Sequence, residues 1–453
     1  MGIDGCSCCR RWRGSPRWRS TTRGDESRGN SDHEGARFGV IRKQLVVLLA
    51  CLFVVMIGAG IAVPVLPFYV ERLALAGGGT RRSVVMHVSA LTGVYAVMQL
   101  IFAPIWGRWS DRIGRRPLIL AGLAGYVIAQ VLFGLATSMW LLYAARILGG
   151  ILSSATLPVS AAYVSDLTTD EERGRGMAWL GTATSLGFVV GPALGGVLSR
   201  QDLHFRARVG HLMMDGFSVP FFAAAVLGLL TLLAALRWLP ESLAAPASRV
   251  AHQVEPTDWR RIARTLGPLL GIALAGQFGL AIFESTFALY AQARFNYGPS
   301  EAGTVFVVCG LAMTVVQVGA VGLISRRVSE LLQVAAGIGL MGTTLALLTA
   351  ASSKAGVLIS VGLLATGTAF VSPNLSALIS KRAGKRDIGA ALGAQNSANS
   401  LGLASGPLIG GALFLWRGDA PYLITGGLLV VVAVAIVVTR FSGWTTPPSG
   451  SAW

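Results

Sequence analysis

The sequence predicts an all-α membrane protein in which twelve transmembrane helices form two parallel halves of six. Three observations support this prediction. First, the 453 residues are 53% hydrophobic and only 13% charged, with a mean hydropathy of +0.62, whereas a soluble domain carries about 25% charged residues. Second, apolar stretches long enough to cross a bilayer recur along the chain. Third, a glycine-rich segment occurs twice, 215 residues apart.

Twelve membrane spans follow from the hydropathy pattern and from the length that a helix needs to cross a bilayer. We predict them at residues 44–70, 85–106, 117–136, 139–165, 176–199, 217–238, 266–293, 301–325, 331–350, 355–380, 389–413 and 420–440. The first six form one half at 44–238 and the last six form the other at 266–440. A polar linker at 239–265 joins the halves, a basic cytoplasmic tail occupies 1–43, and a short tail occupies 441–453.

The glycine repeat predicts how the two halves are related. The first copy contains Gly187, Gly191, Pro192, Gly195 and Gly196, and the second contains Gly402, Gly406, Pro407, Gly410 and Gly411. Glycines four residues apart form a stripe that lets two helices approach closely in lipid, and the proline bends each helix. Because both copies lie in the fifth span of their half, the two halves are predicted to face the same way.

The distribution of Lys and Arg predicts the orientation in the membrane. With a cytoplasmic N-terminus, the cytoplasmic segments hold 28 of these residues and the outer loops nine, while Arg146 lies inside a span. Cytoplasmic loops are enriched in Lys and Arg, so both termini are predicted to be cytoplasmic, with the chain crossing the plasma (inner) membrane many times. The net charge of +17 therefore reflects topology, and no nucleic-acid partner is expected.

Metal and enzyme chemistry have little support in the sequence. Cys6, Cys8 and Cys9 crowd the N-terminal tail, but no second ligand pair follows at the spacing of a zinc finger. The loops contain no set of nucleophile and base, so an enzyme is the weakest interpretation. We expect no metal site and no cofactor. The tail is either disordered or drawn to anionic lipid by its Arg-Trp-Arg pairs.

A charged loop between spans 2 and 3 is the first candidate site. It runs from Gly107 to Pro117 and holds four arginines and a single acid, Asp111. That carboxylate could accept hydrogen bonds from the N–H groups at the start of a helix, or it could pair with an arginine across the boundary between the halves. The equivalent of Asp111 in the second half is Arg326, so the loop is expected to act in the first half alone.

Together these motifs resemble those of the major facilitator superfamily, specifically its twelve-helix drug/proton antiporter branch. The resemblance covers residues 40–440, and the group in span 5 is similar to the branch motif that is typical of exporters. The matching residues are Gly107, Asp111, Arg112, Gly114, Arg115 and Arg116 in the loop, Arg146 and Gly150 in span 4, Gly187, Gly191, Pro192, Gly195 and Gly196 in span 5, and Gly58, Gly60, Pro64 and Pro67 in span 1.

The resemblance implies efflux of amphipathic drugs by alternating access, with a small-molecule substrate, protons as the driving partner and a monomer as the working unit. It also implies that Asp111 contacts the start of helix 11 and that Asp166 pairs with Arg115. The chain departs from the branch in span 1, which lacks the usual acid, since Glu71 falls at its outer end. Two alternatives remain: proton-linked uptake of a small solute, and a membrane sensor that does not transport.

Two charged residues lie inside the predicted spans. Arg146 is about 10 Å, and Glu284 about 7 Å, outward of the middle of its helix at a rise of 1.5 Å per residue. Burial favours the neutral form of a carboxyl group, and a nearby cation favours the charged form. We therefore hypothesise that Glu284 carries the proton and that Arg146 controls it. The alternative is that Glu284 reaches the outer interface and that Arg146 extends to the lipid headgroups.

Polar and aromatic side chains within the spans are candidates for substrate contacts. Drug-sized cavities have apolar and aromatic walls with a few polar groups. The candidates are Tyr95 and Gln99 in the first half and Gln277, Phe287, Asn374, Asn396 and Asn399 in the second. Each of them could instead form an interhelical hydrogen bond or pack in the core, and the sequence predicts no particular substrate.

Overall fold

The structure is a computed structural model that describes residues 26–168, 170–199, 207–209, 212–214, 216–242, 259–320, 327–383 and 387–441. The tail cysteines, the Arg-Trp-Arg pairs, Arg326, residues 243–258 of the linker and the C-terminal tail from residue 442 lie outside this part of the chain. The domain boundaries in those segments therefore stay predictions.

Twelve helical spans are present in the described residues. Those of the first half are α1 (Glu26–Ala76), α2 (Arg81–Ile113), α3 (Arg115–Gly134), α4 in two segments (Met139–Ser153 and Thr156–Leu167), α5 (Asp170–Leu198) and α6 (Val219–Trp238). Those of the second half are α7 (Trp259–Phe295), α8 (Pro299–Val315), α9 (Glu330–Ala350), α10 (Lys354–Ala383), α11 (Ile388–Trp416) and α12 (Ala420–Phe441).

Eleven of these helices are long and apolar enough to cross a membrane. The remaining one, α8, has 17 residues and continues as a π-helical turn at Val316–Ala320, so its apolar length approaches that of the others. Helix α1 begins at Glu26, inside the predicted tail, although its apolar part begins at Lys43. The twelve-helix prediction is thus confirmed, with α1 and α7 extending past the expected ends of their spans.

A small hairpin lies between α5 and α6 and was not predicted from the sequence. Its strands, β1 (Ala207–Val209) and β2 (Leu212–Met214), pair antiparallel with Ala207 opposite Met214. Each strand has three residues, which is too short for an alternation of polar and apolar residues to be recognised. The membrane-spanning part of the described chain is all-α.

The two halves share one packing plan. In the first half α1 packs on α5 and α6, and α3 packs on α4 and α6. In the second half α7 packs on α11 and α12, and α9 packs on α10 and α12. Between the halves, α2 packs on α11 and α5 packs on α8. Adding six to the helix numbers of each pair in the first half gives a pair in the second half, and the contacts α2–α11 and α5–α8 are equivalent to each other. This symmetry confirms two parallel halves related by an axis along the bundle.

The halves touch closely at one end of the bundle. We call the end that carries the α2–α3 loop the inner end, which is the end predicted to be cytoplasmic, and the opposite end the outer end. At the outer end a Cβ added to Gly196 of α5 would lie 3.2 Å from the Cα of Gly303 in α8. Likewise, a Cβ added to Gly411 of α11 would overlap Ser89 of α2. Close packing of small residues therefore holds the outer end shut.

The same four helices are not packed tightly at the inner end. A Cβ added to Gly107 of α2, Gly181 of α5, Gly319 of α8 or Gly393 of α11 would meet no atom within 4 Å. Large apolar side chains are exposed there as well, among them Trp109 with 48% of its surface accessible. The space between the halves therefore opens toward the inner end in this structure.

Candidate functional site

Arg115 is the centre of a cluster of charges at the inner end. Its guanidinium contacts Asp111 at 2.6 Å and Asp166 at 3.1 Å, and it donates to Ser110 Oγ at 2.5 Å. Although it carries a full charge, Arg115 is only 7% exposed. Two carboxylates and a hydroxyl compensate for that burial, and they tie the end of α2 and the start of α3 to the end of α4. The structure thus brings together the Arg115 and Asp166 that the family resemblance pairs.

Glu241, which follows α6, is a member of this cluster that the sequence reasoning missed. Its carboxylate accepts from the backbone N–H groups of Arg115 at 2.8 Å and Arg116 at 3.1 Å, at the start of α3. A Cβ at Gly114, where φ is +113°, would lie 2.5 Å from this carboxylate. At the start of α3 it is therefore Glu241, and not Asp111, that accepts from the N–H groups that the turn at Gly114 leaves exposed.

Asp111 itself is open to solvent. Its side chain is 65% exposed, and Arg112 beside it is exposed as well. Because the space between the halves opens at this end, the contact of Asp111 with the start of α11 stays a prediction, and it belongs to a state in which the inner end is closed.

The second half contains an ion pair at the equivalent positions, with the charges exchanged. Lys381 at the end of α10 contacts Glu330 at the start of α9 at 2.5 Å. These residues lie 215 positions after Asp166 and Arg115. The second half thus keeps an ion pair between its third and fourth helices, whereas the expectation that the loop acts in the first half alone stays a prediction, because Arg326 lies outside the described residues. Identity between the two copies does not reveal this pair, because an exchange of signs preserves the attraction while changing both residues.

The glycine stripe of α5 faces two different partners. Gly187, Gly191 and Gly195 face α1, where an added Cβ would lie 2.5, 2.5 and 3.0 Å from atoms of that helix. Pro192 lies against Gly60 of α1, and Gly196 faces α8 of the other half. The stripe therefore joins α5 to its own half along most of its length and to the other half at the outer end.

The stripe of α11 repeats this plan. Gly402, Gly406 and Gly410 face α7, where an added Cβ would lie 2.8, 2.6 and 3.3 Å from atoms of that helix, and Gly411 faces α2. In each copy, then, three glycines face the first helix of their own half and the fourth crosses to the other half.

Arg146 lies in a small cavity inside the first half, between α1, α2, α3, α4 and α6. Its guanidinium carbon is 5.1 Å from the ring centres of Tyr95 and Phe133, which is cation–π distance. The hydroxyl of Tyr95 is 3.3 Å from Ser153 Oγ and accepts from Gln99 Nε2 at 3.1 Å. Because Arg146 is only 7% exposed, it does not extend toward the lipid headgroups.

Glu284 lies on α7 in the second half, near Cys309 of α8. Its side chain is partly exposed, and it has no hydrogen bond or ion pair with any other residue that the structure describes. No residue of α7 lines the cavity of Arg146. The hypothesised pairing of Glu284 with Arg146 is therefore not present in this conformation, because Arg146 points into its own half.

A second cavity, of about 40 Å³, lies inside the second half between α7, α9, α10 and α11. Its polar lining includes two of the predicted substrate residues, Gln277 and Asn399, together with Gln395. The structure thus brings Gln277 and Asn399 together, while Tyr95 lines the cavity of Arg146 in the first half and Gln99 donates to the Tyr95 hydroxyl.

The other predicted substrate residues are placed elsewhere. Phe287 is fully buried and contacts two neighbouring phenylalanine rings, one tilted at 5.0 Å and one edge-to-face at 5.6 Å between ring centres. Asn374 is 3% exposed and donates to Gln333 Oε1 at 3.0 Å. Asn396 is exposed on α11. Phe287 and Asn374 therefore serve the packing of the second half in this structure, because the apolar and amide partners that they need lie within that half.

Glu71 lies near the outer end of α1, at the boundary between the two halves. Its carboxylate accepts from Gln292 Nε2 at 2.5 Å, which joins α1 to α7. This hydrogen bond adds to the glycine contacts that hold the outer end closed.

Twelve spans in two parallel halves, closed at one end and open at the other, define a polytopic membrane transporter. The Major Facilitator Superfamily model matches residues 48–405, with a second match over residues 334–452. The chain belongs to the major facilitator superfamily, as its motifs predicted.

Known relatives match almost the whole chain. Multidrug resistance protein 1 of Bacillus subtilis is 30% identical over 407 residues, which cover 89% of this chain and 96% of the relative. Multidrug resistance protein 2 of the same organism is 28% identical over 393 residues, covering 85% and 92%. Among solved structures, the human organic anion transporter MFSD10 superposes with a TM-score of 0.65 at 23% identity, covering 87% of this chain and 99% of that one.

Proposed function

We propose that this protein exports amphipathic drugs across the plasma membrane by alternating access, in exchange for protons. The observation that carries the proposal is its similarity, over 89% of its length, to a bacterial multidrug resistance protein. The glycine stripe of α5 supports the outward direction, because it resembles the exporter motif. Both termini would then be cytoplasmic, and the open inner end would admit drug from the cytoplasm or the inner leaflet. The transporting unit would be a monomer.

Glu284 is the proton carrier in this proposal, and the proton gradient is the source of energy. The position of Glu284 supports this role, because it is an acid within a membrane span. Placing an ionised carboxylate there costs at least about 2.5–3.5 kcal/mol of insertion free energy, which favours the protonated form. Arg146 of the other half acts on Glu284 through the change in their separation when the halves rock. An inward proton contributes about 2.3 kcal/mol per 100 mV of membrane potential, which drives the drug outward.

The drug lies in the space between the halves in this proposal, where polar side chains beside the two small cavities contact it. Tyr95 and Gln99 do so from the first half, and Gln277 and Asn399 do so from the second. These side chains make few hydrogen bonds to other described residues, so their polar groups are free to contact unrelated compounds. The exposed Asn396 on α11 is a further contact at the open inner end.

A resistance panel in a pump-deficient bacterium tests the proposal. We expect the wild-type protein to raise the inhibitory concentration of several unrelated amphipathic drugs. Glu284→Gln keeps the size of the side chain and cannot ionise, so it should abolish this effect at equal membrane abundance. Equal resistance in the Glu284→Gln strain would contradict the assignment of the proton carrier, and sensitivity of both strains would contradict drug export.

A further inference from the structure

The cavity around Arg146 contains a charge without a counter-charge. The side chain is 93% buried, and its Nε has no hydrogen-bond partner among the residues that the structure describes. No ion pair of the described residues includes Arg146, and the residues lining its cavity include no Asp or Glu. The two aromatic rings at 5.1 Å supply only part of the compensation, because cation–π contacts are weaker than the cost of removing an ion from water.

The acidic residues on the helices that surround the cavity are too distant from Arg146 to form an ion pair with it. Asp166 is 20 residues after Arg146 on α4, about 30 Å away at 1.5 Å per residue. Glu71 is nine residues beyond Ala62, which lines the cavity from α1, and this corresponds to about 14 Å. The nearest fixed carboxylates of these helices are thus outside hydrogen-bond range of the guanidinium.

Two other polar side chains line the cavity beside Arg146, from α3. The amide nitrogen of Gln130 and the hydroxyl of Tyr126 both point at Gly58, where an added Cβ would overlap them. Only glycine leaves room for these two groups beside α1. Arg146 gives the cavity a net positive charge and an Nε donor without a partner among the described residues, while the remaining walls are mostly alanine, valine and phenylalanine.

We infer that this cavity is a binding site for a small monovalent anion, of which chloride is the physiological example. Its volume of about 30 Å³ has room for about one or two water molecules, which suits a monatomic ion and excludes a drug-sized anion. The bound anion neutralises Arg146 in the state that opens to the inner end. The inference does not depend on drug export, because it concerns binding within the first half alone.

Thermal unfolding of the purified full-length protein in nanodiscs tests the site. Chloride titrated against gluconate at constant ionic strength should raise the unfolding midpoint of the wild type saturably, and bromide should do the same, because a ligand that binds only the folded state stabilises it. Arg146→Gln should lose this shift. Arg82→Gln, which removes an exposed cation at the outer end of α2, should keep it. If chloride raised the unfolding midpoint of Arg146→Gln as much as that of the wild type, the inference would be overturned.

A second pair of variants tests the sign of the charge. Ala62→Asp places a carboxylate in the cavity, and Ala62→Asn places a neutral group of the same size there. In chloride-free buffer the Asp variant should unfold at a higher temperature than the Asn variant and should not respond to chloride. A lower midpoint for the Asp variant would contradict the site. Should these variants not fold, wild-type crystals grown in bromide should show an anomalous peak beside Arg146, and its absence would overturn the inference.

Discussion

The two ion pairs at equivalent positions of the halves differ in how deeply their cations are buried. Arg115 is buried among two carboxylates and Ser110, whereas Lys381, at the position matching Asp166, is 68% exposed in its side chain. A buried ion depends on its partners, whereas an exposed pair is screened by water. The pair in the first half should therefore contribute more to stability than the exchanged pair in the second.

Removing one acid from each half tests this difference. Asp166→Asn leaves part of the buried Arg115 charge uncompensated and should lower the free energy of unfolding by about 1–3 kcal/mol. Glu330→Gln removes the acid of the exposed pair and should cost less than about 1 kcal/mol. Denaturation in detergent, followed by tryptophan fluorescence, measures both. Equal losses would show that burial of Arg115 does not set the strength of its pairs.

Helix α5 packs on α1 through backbone contacts that only glycine permits. A Cβ at Gly191 would lie 2.5 Å from the carbonyl oxygen of Ile57 and 2.8 Å from the Cα of Gly60. Because both neighbours are backbone atoms, no change of rotamer can relieve the overlap. The two helices must separate to accept any larger residue.

Gly191→Ala should therefore destabilise the protein by about 1–3 kcal/mol and reduce export. The matched control is Gly181→Ala on the same helix, where an added Cβ meets nothing within 4 Å. There the substitution should be neutral or stabilise by about 0.5–1 kcal/mol, since alanine is the better helix former. The unfolding midpoint and the rate of dye efflux measure the two effects. A Gly191→Ala protein as stable as the control would contradict the packing described.

At this scale the sequence predicts the elements well and their contacts only in part. Hydropathy and the repeat identify twelve spans in two parallel halves, because each span must be long and apolar. They do not identify Glu241, since an acid in a polar linker carries no signal of the N–H groups that it reaches. The sequence also leaves open whether Phe287 and Asn374 contact substrate or pack in the core, because periodicity shows which residues share a face but not which helix covers that face.

The whole molecule rests in a state that is closed at the outer end and open at the inner end. The contacts that keep the outer end closed include glycines at α5–α8 and α2–α11, a buried apolar cluster of Phe68, Ala288 and Ala302, and the hydrogen bond between Glu71 and Gln292. Alternating access requires these contacts to break while the inner ends of the same helices meet. A substitution that weakens the outer contacts should therefore shift the population toward the inner-closed state.

Gly303→Ala should weaken the outer contacts directly. Its Cβ would lie 2.8 Å from the carbonyl oxygen of Pro192 and 2.9 Å from the Cα of Gly196. Spin labels at the exposed inner residues Trp109 and Leu392 report the distance between α2 and α11. We expect this distance to shorten in Gly303→Ala and to stay unchanged in Gly319→Ala, whose Cβ meets no neighbour. An unchanged distance in both would show that the outer glycines do not set the conformation.

The central claim is that export is driven by protons carried on Glu284, and transport in proteoliposomes tests it most directly. With an imposed pH gradient, inside-out wild-type vesicles should accumulate ethidium against its concentration gradient and release protons as they do so. Glu284→Gln should lose both accumulation and proton release while still exchanging ethidium across the membrane at equilibrium, and the exposed Glu301→Gln should behave as wild type. Uphill accumulation by Glu284→Gln with unchanged proton release would contradict the account.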